Sequence, residues 1–154
     1  VMDARLSPDQ LRGTGKLPIL PQAAALCYRI QRGQPEVLLI TTRRARRWSI
    51  PKGWLIGGLT TAQTAAQEAW EEAGVVGHCN ADRLGQFCYL KHRTERGSAL
   101  CLVDVFPLQV QSLVSSYPEK GERKRKWYSP EKAALKVASP DLAEMLRSFG
   151  PYPH

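Results

Sequence analysis

The chain has 154 residues, 43% hydrophobic and 23% charged, which fits one soluble domain whose core needs neither disulfides nor a structural metal. No apolar run approaches the roughly 20 residues that span a bilayer, and the first ten residues lack the apolar core of a secretory signal, so a cytoplasmic location is expected. An excess of 22 Lys and Arg over 14 Asp and Glu gives a formal net charge of +8 and predicts attraction to anions: nucleic acid, an acidic surface or a small polyanion.

Residues 1–20 contain Gly13, Gly15 and Pro18 and show no sustained period, so they read as an extended arm before one domain over 21–150. The apolar runs 23–30 and 36–42 flank the turn signal "QRGQP" and predict a strand pair. "RWSIP" predicts a further short strand closed by Pro51. A helix is expected from the N-cap Thr60, with Gln63 completing a capping box, to Gly74 in the left-handed conformation. Strands are then expected over 85–92, 98–110 and 122–129. Two last helices each begin with Ser as cap and Pro at the first helical position, in "SPEKAALKV" and "SPDLAEMLRSFG". In the second, Leu142, Met145, Leu146 and Phe149 form one buried stripe. This order predicts an α+β fold built as a layered α/β/α sandwich. Cys27, Cys79, Cys88 and Cys101 have no C-x-x-C or zinc-ligand spacing and read as reduced thiols, mostly of the core.

The central helix carries the chemistry. On a wheel of about 100° per residue, Ala62, Ala65, Ala66, Ala69 and Ala73 share one face, a small-residue stripe that can lie close on a sheet. Glu68, Glu71 and Glu72 fall together elsewhere, although the chain has no acidic residue between Glu36 and Glu68. Like charges at this spacing destabilise a helix by a few tenths of a kcal/mol, and the macrodipole disfavours anions near a C-terminus. Two explanations stand: a solvated helix surface, or a site for a hard cation such as Mg2+ or Mn2+.

"GWLIGGLTTAQTAAQEAWEEAGV", residues 53–75, resembles the box of the Nudix hydrolase family, G-x5-E-x7-R-E-U-x-E-E-x-G-U. Gly53, Glu68, Glu71, Glu72, Gly74 and Val75 match in register, and Ala69 weakly matches the first aliphatic position. Leu59 stands where the first Glu is expected and Gln67 where the Arg is expected. In the family these two resemble a loop-to-helix brace. Losing both leaves no stranded charge, and Leu59 packing against apolar neighbours is one replacement for the pair. The resemblance implies a mixed central sheet, one catalytic helix after the glycine-rich loop, and Mg2+-dependent (or Mn2+-dependent) hydrolysis of a phosphoanhydride. It implies metal ligation by Glu68 and Glu72, with Glu71 assisting and the Gly53 carbonyl contributing. A Glu of the box, or Glu119 or Glu122 downstream, is the candidate base.

Three basic segments accompany the box: "TTRRARRW" (41–48), "LKHRTERG" (90–97) and "ERKRKW" (122–127). They resemble the diphosphoinositol polyphosphate phosphohydrolase branch, which often hydrolyses diadenosine polyphosphates as well. That likeness implies Thr41, Thr42, Arg43, Lys91, His92, Arg93 and Lys124 as contacts to a small polyphosphate substrate, and Lys52, which follows the first basic segment, is a further candidate contact. "PKGW" replaces the all-glycine turn typical of that branch, so Lys52 and Trp54 change its pocket. In a strand half of each cluster faces away from a site, and Trp48 and Trp127 read as core anchors. RNA 5′-pyrophosphohydrolysis, or a binding module that has lost catalysis with Leu59 and Gln67, is the alternative; nucleic acid is the less favoured partner and no membrane is expected.

Overall fold

The computed structural model describes residues 17–150, so most of the expected N-terminal arm lies outside the described residues. Among the described residues eight strands form one mixed sheet: β1 (Ile19–Gln31), β2 (Gln34–Thr41), β3 (Trp48–Ser49), β4 (Lys52–Trp54), β5 (Val75–Cys79), β6 (Gly85–Lys91), β7 (Ala99–Leu113) and β8 (Arg125–Tyr128). Helices α1 (Thr61–Ala73), α2 (Pro130–Lys136) and α3 (Pro140–Arg147) cover its faces. Alternation along β1 divides the core. Ala23, Ala25 and Cys27 pack with Ala65, Ala69 and Ala73 of α1. Ala24 and Leu26 pack with Ala133, Leu142 and Leu146 of α2 and α3. The result is the expected α/β/α sandwich. The alanine stripe presents only methyl groups to the sheet, which lets α1 lie close on it. The four cysteines are free thiols.

β1 runs parallel to β7 along one edge, from Ile19↔Leu100 to Tyr28↔Gln109. Its other edge is shared by β4 and β2. The strand starts four residues earlier than the apolar run suggested and passes through Pro21. The Pro18 carbonyl faces β7, bonding the Leu100 N–H, whereas the Ala25 N–H faces the opposite edge, bonding the Pro51 carbonyl. Alternation therefore turns the Pro21 nitrogen to the edge where pairing begins only at Gln22, and no ladder bond is lost. The same logic carries β7 through Pro107 to Leu113. β6 pairs up to Val105 and β5 resumes at Leu108, so Pro107 falls between two partners on that edge.

Two strands went unread. β4 has three residues and β5 contains Gly77, beside a register shift; a Cβ there would collide with the Gln109 carbonyl oxygen. Neither shows an apolar alternation, and both exist because a neighbouring strand supplies bonds. The expected strand over 122–129 narrows to β8, and the "RWSIP" strand to Trp48–Ser49. Trp48 and Trp127 pack against the two cores, as anchors.

Candidate active site

Helix α1 is fixed at both ends by local sequence. The Thr60 Oγ1 accepts from the Gln63 N–H at 3.1 Å, and the Gln63 Oε1 accepts from the Thr60 N–H at 2.8 Å. Gly74 closes the helix at φ 67°, the left-handed conformation that glycine adopts without strain. Arg125 completes this end, donating from Nη1 to the carbonyls of Ala73 (2.6 Å) and Val114 (3.1 Å) while lying over the Tyr117 ring.

The loop before α1 is tied down differently from the family's brace. Leu59 is 41% exposed, so it does not substitute for the missing ion pair by packing. Thr64, fully buried, accepts the Ile56 N–H at 3.3 Å and joins the loop to the helix through a neutral bond. Thr64 was overlooked because a threonine within a helix carries no motif.

The three glutamates meet at the start of β4. A Cβ on Gly53 would overlap the Glu68 carboxylate, so only glycine permits that carboxylate to lie over the strand. Glu72, 6% exposed, accepts the Lys52 N–H at 3.3 Å. The Glu68 carboxyl is pushed up to about 8 by burial first, then by the neighbouring Glu72 and Glu71 carboxylates. Burial also raises Glu72, against the pull of Arg123 and Lys52. Lys52 is drawn down to about 8 by burial, with Glu72 opposing and the Lys91 and Arg123 charges adding. Its Nζ lies 4.9 Å from the Tyr89 ring centroid, and the Tyr89 hydroxyl donates to the Gln22 Oε1 at 2.6 Å.

Arg123 is the residue that sequence reasoning passed over. It sits in a basic run without visible register, yet its side chain is 11% exposed. Its guanidinium donates to Glu119 Oε1 at 2.9 Å and to the Thr41 carbonyl at 3.2 Å, and reaches Glu72 Oε1 at 3.9 Å. The Glu119 N–H in turn bonds the Glu71 carbonyl at 2.9 Å. The segment after β7 is thereby fastened to the carboxylate face of α1.

These groups line an open cleft of about 1180 Å³. Of the expected substrate contacts, Thr42, Arg43, Lys52, Lys91, His92 and Arg93 line it, as do Arg44 and Arg96, which were not singled out. Thr41 and Lys124 do not line it. Thr41 is 4% exposed and its Oγ1 accepts the Lys124 N–H at 2.9 Å, so it holds β2 to the following segment. Lys124 lies outside the lining and points to solvent, because its neighbours Arg123 and Arg125 take the inward positions. His92 and Arg93 are partly used by their own loop: Ser98 Oγ is 2.7 Å from His92 Nδ1, and Arg93 donates to the carbonyls of Gly97 and Arg96. Glu122 pairs with Arg43 at 3.4 Å in solvent, outside the lining.

Among the described residues no group of three His, Cys, Asp or Glu side chains is placed to hold a metal ion. Mg2+ does not need such a group, since it binds through one or two carboxylates together with phosphate oxygens and water. The donor set fits that habit. The Glu68 and Glu72 carboxylates repel one another, a repulsion that a cation would relieve, and Gly53 leaves room for the Glu68 carboxylate over the strand. No described helix is long and apolar enough to cross a membrane.

Comparison with known proteins agrees with this arrangement. The NUDIX domain family matches residues 20–149. Diphosphoinositol polyphosphate phosphohydrolase 3-alpha of Mus musculus is 30% identical over 149 residues, covering 94% of this chain and 87% of the mouse protein. Nudix hydrolase 16, mitochondrial, of Arabidopsis thaliana is 32% identical over 114 residues, 72% of this chain and 63% of its own length. Among solved structures, a C. elegans Ap4A hydrolase binary complex superposes with a TM-score of 0.62 at 21% identity, covering 83% of this chain and 93% of that one. The MutT protein of Methanosarcina mazei Go1 gives the same score at 22% identity, over 86% and 93%. The chain belongs to the NUDIX family and is a Nudix-type phosphoanhydride hydrolase.

Proposed function

We propose that this protein hydrolyses a phosphoanhydride bond in a highly phosphorylated small molecule, a dinucleoside polyphosphate or a diphosphoinositol polyphosphate, with Mg2+ or Mn2+ as cofactor. One observation carries the reading: a partly buried cluster of mutually repelling carboxylates shares a cleft with eight Arg, Lys and His side chains. Glu68 and Glu72 would hold the metal, with Glu71 and the Gly53 carbonyl as further donors. When bound, the metal neutralises charge on the phosphoryl oxygens and acidifies the attacking water. Lys52, Lys91 and Arg43 hold the flanking phosphates, guanidinium by paired hydrogen bonds and ammonium as point charge. Glu71 and Glu119 are the carboxylates placed to move the proton, Glu119 held in position by Arg123 at 2.9 Å. The Thr64 bond to the loop supports an active enzyme over a bare binding module, because the loop remains anchored without Glu and Arg. Four free thiols fit a reducing, cytoplasmic setting.

The test is phosphate release with Mg2+ or Mn2+ from dinucleoside polyphosphates, diphosphoinositol polyphosphates, ADP-ribose, nucleoside triphosphates and 5′-triphosphorylated RNA. Turnover is expected on one of the first two classes. Turnover of the RNA alone, or none at all, overturns the reading.

A further inference from the structure

The cleft lining is not uniformly charged. Directly after Gly53, three consecutive residues, Trp54, Leu55 and Ile56, form an apolar stretch of it. Trp54 and Leu55 are 40% and 44% exposed, so neither serves the core. A large aromatic left open to water in a concave site is the informative kind of exposure. Its place is fixed: Trp54 pairs with Gln22 in the β1–β4 ladder, one residue from the glycine beneath Glu68. Lys91 Nζ rests 5.8 Å from the indole centroid, which sets a cation beside the aromatic face.

A ligand phosphorylated around its whole perimeter has nothing to offer this stretch. A nucleotide does, because a planar base with apolar faces is joined to its phosphate chain within one small molecule. We propose that Trp54 is a stacking platform for a nucleobase, with Lys91 at the phosphate end, so that the cleft selects nucleoside polyphosphates over phosphorylated polyols. The inference rests on the hydrolase reading of the same cleft and deepens it. Stacking tolerates any base, since every base presents a π-face, so the platform selects for a base without naming which.

The experiment compares diadenosine tetraphosphate with inorganic tripolyphosphate by titration calorimetry in Ca2+, on the wild type, Trp54→Ala, Trp54→Leu and Trp54→Phe. Wild type should prefer the dinucleotide, and Trp54→Ala should weaken it by roughly 10- to 100-fold while tripolyphosphate changes by less than about twofold. Trp54→Phe should restore most of the affinity; Trp54→Leu, apolar but without a ring, should restore little. No preference in the wild type, equal losses on both probes, or full rescue by Leu overturns the proposal. Turnover in Mg2+, on the dinucleotide and on a diphosphoinositol polyphosphate, separates the two readings. Base-selective binding without turnover sinks only the hydrolase reading, whereas turnover independent of Trp54 sinks only the stacking platform.

Discussion

The acidic and basic sides of the cleft are built by different means. The carboxylates sit on a 13-residue helix with a capping box at one end and a left-handed glycine at the other, tied to the preceding loop through Thr64. The cations mostly sit on turns, where Arg43 meets Glu122 at 3.4 Å with both side chains open to solvent. Such an exposed pair contributes little, about 0–1 kcal/mol. The difference separates two tasks. A metal site loses function with small displacements, so its ligands are carried on a braced element. Recognition of a polyanion depends on summed charge, which turns supply without strict geometry.

The largest expected effect lies on the acidic side. Glu72→Gln keeps an acceptor for the Lys52 N–H but removes the charge a cation needs. It should lower kcat by at least roughly a hundredfold, since metal stabilisation of phosphoryl charge amounts to several kcal/mol. Unchanged circular dichroism would show the fold intact. Retained activity would place the metal elsewhere.

Arg123 and Arg125 sharpen the comparison, because they are two residues apart and face the same way. Arg123→Met strands Glu119 and Glu72 and should lower metal affinity or kcat by roughly 10- to 100-fold. Arg125→Met removes two bonds at the end of α1 and should lower stability by about 1–3 kcal/mol with kcat little changed. Denaturant melts and steady-state kinetics on both variants check the division. Equal kinetic losses would mean that Arg123 only supports the fold.

That pair also shows what was legible in the sequence. The caps of α1, the alanine stripe and the register of the three glutamates are local features, and they can be read within a window of about 15 residues. Arg123 could not be told from Lys124, because which member of "RKRK" turns inward depends on where β8 meets β2, a pairing between distant segments. β4 and β5 were invisible for the same reason: their bonds come from β1 and β7. Pro21 misled because a proline's effect in a strand depends on which edge its nitrogen faces.

The acidic cluster predicts a pH dependence of stability without metal. Glu68 titrates near 4.5 when unfolded and at about 8 when folded, so the folded state holds a proton that the unfolded state releases between these values. Its contribution is complete below about 4.5 and is lost as pH rises through about 8, and the raised Glu72 acts in the same sense. The fall of Lys52 to about 8 works in the opposite direction only above that pH. Thermal melts of EDTA-treated protein should therefore drop as pH rises from 5 to 8, and the increment from Mg2+ should grow over the same range. A Mg2+ increment that shrinks with pH would show that protons and metal do not compete there.

The smallest effects belong to the basic side and test whether summed charge or a particular contact matters. Arg43→Ala removes a cation from the lining and an exposed pair with Glu122, so melting should be unchanged within about 0.5 kcal/mol. The KM for a polyphosphate should rise, and added salt should narrow the gap from wild type, because screening shortens the reach of the missing charge. Lys124→Ala removes the same charge from a position outside the cleft. If field alone recruits the substrate, the two variants should lose on-rate similarly. If Arg43 grips a phosphate, only Arg43→Ala should retain a raised KM at high salt, where distant charges no longer act. The second result is expected, because a direct guanidinium contact survives ionic strengths that erase a field.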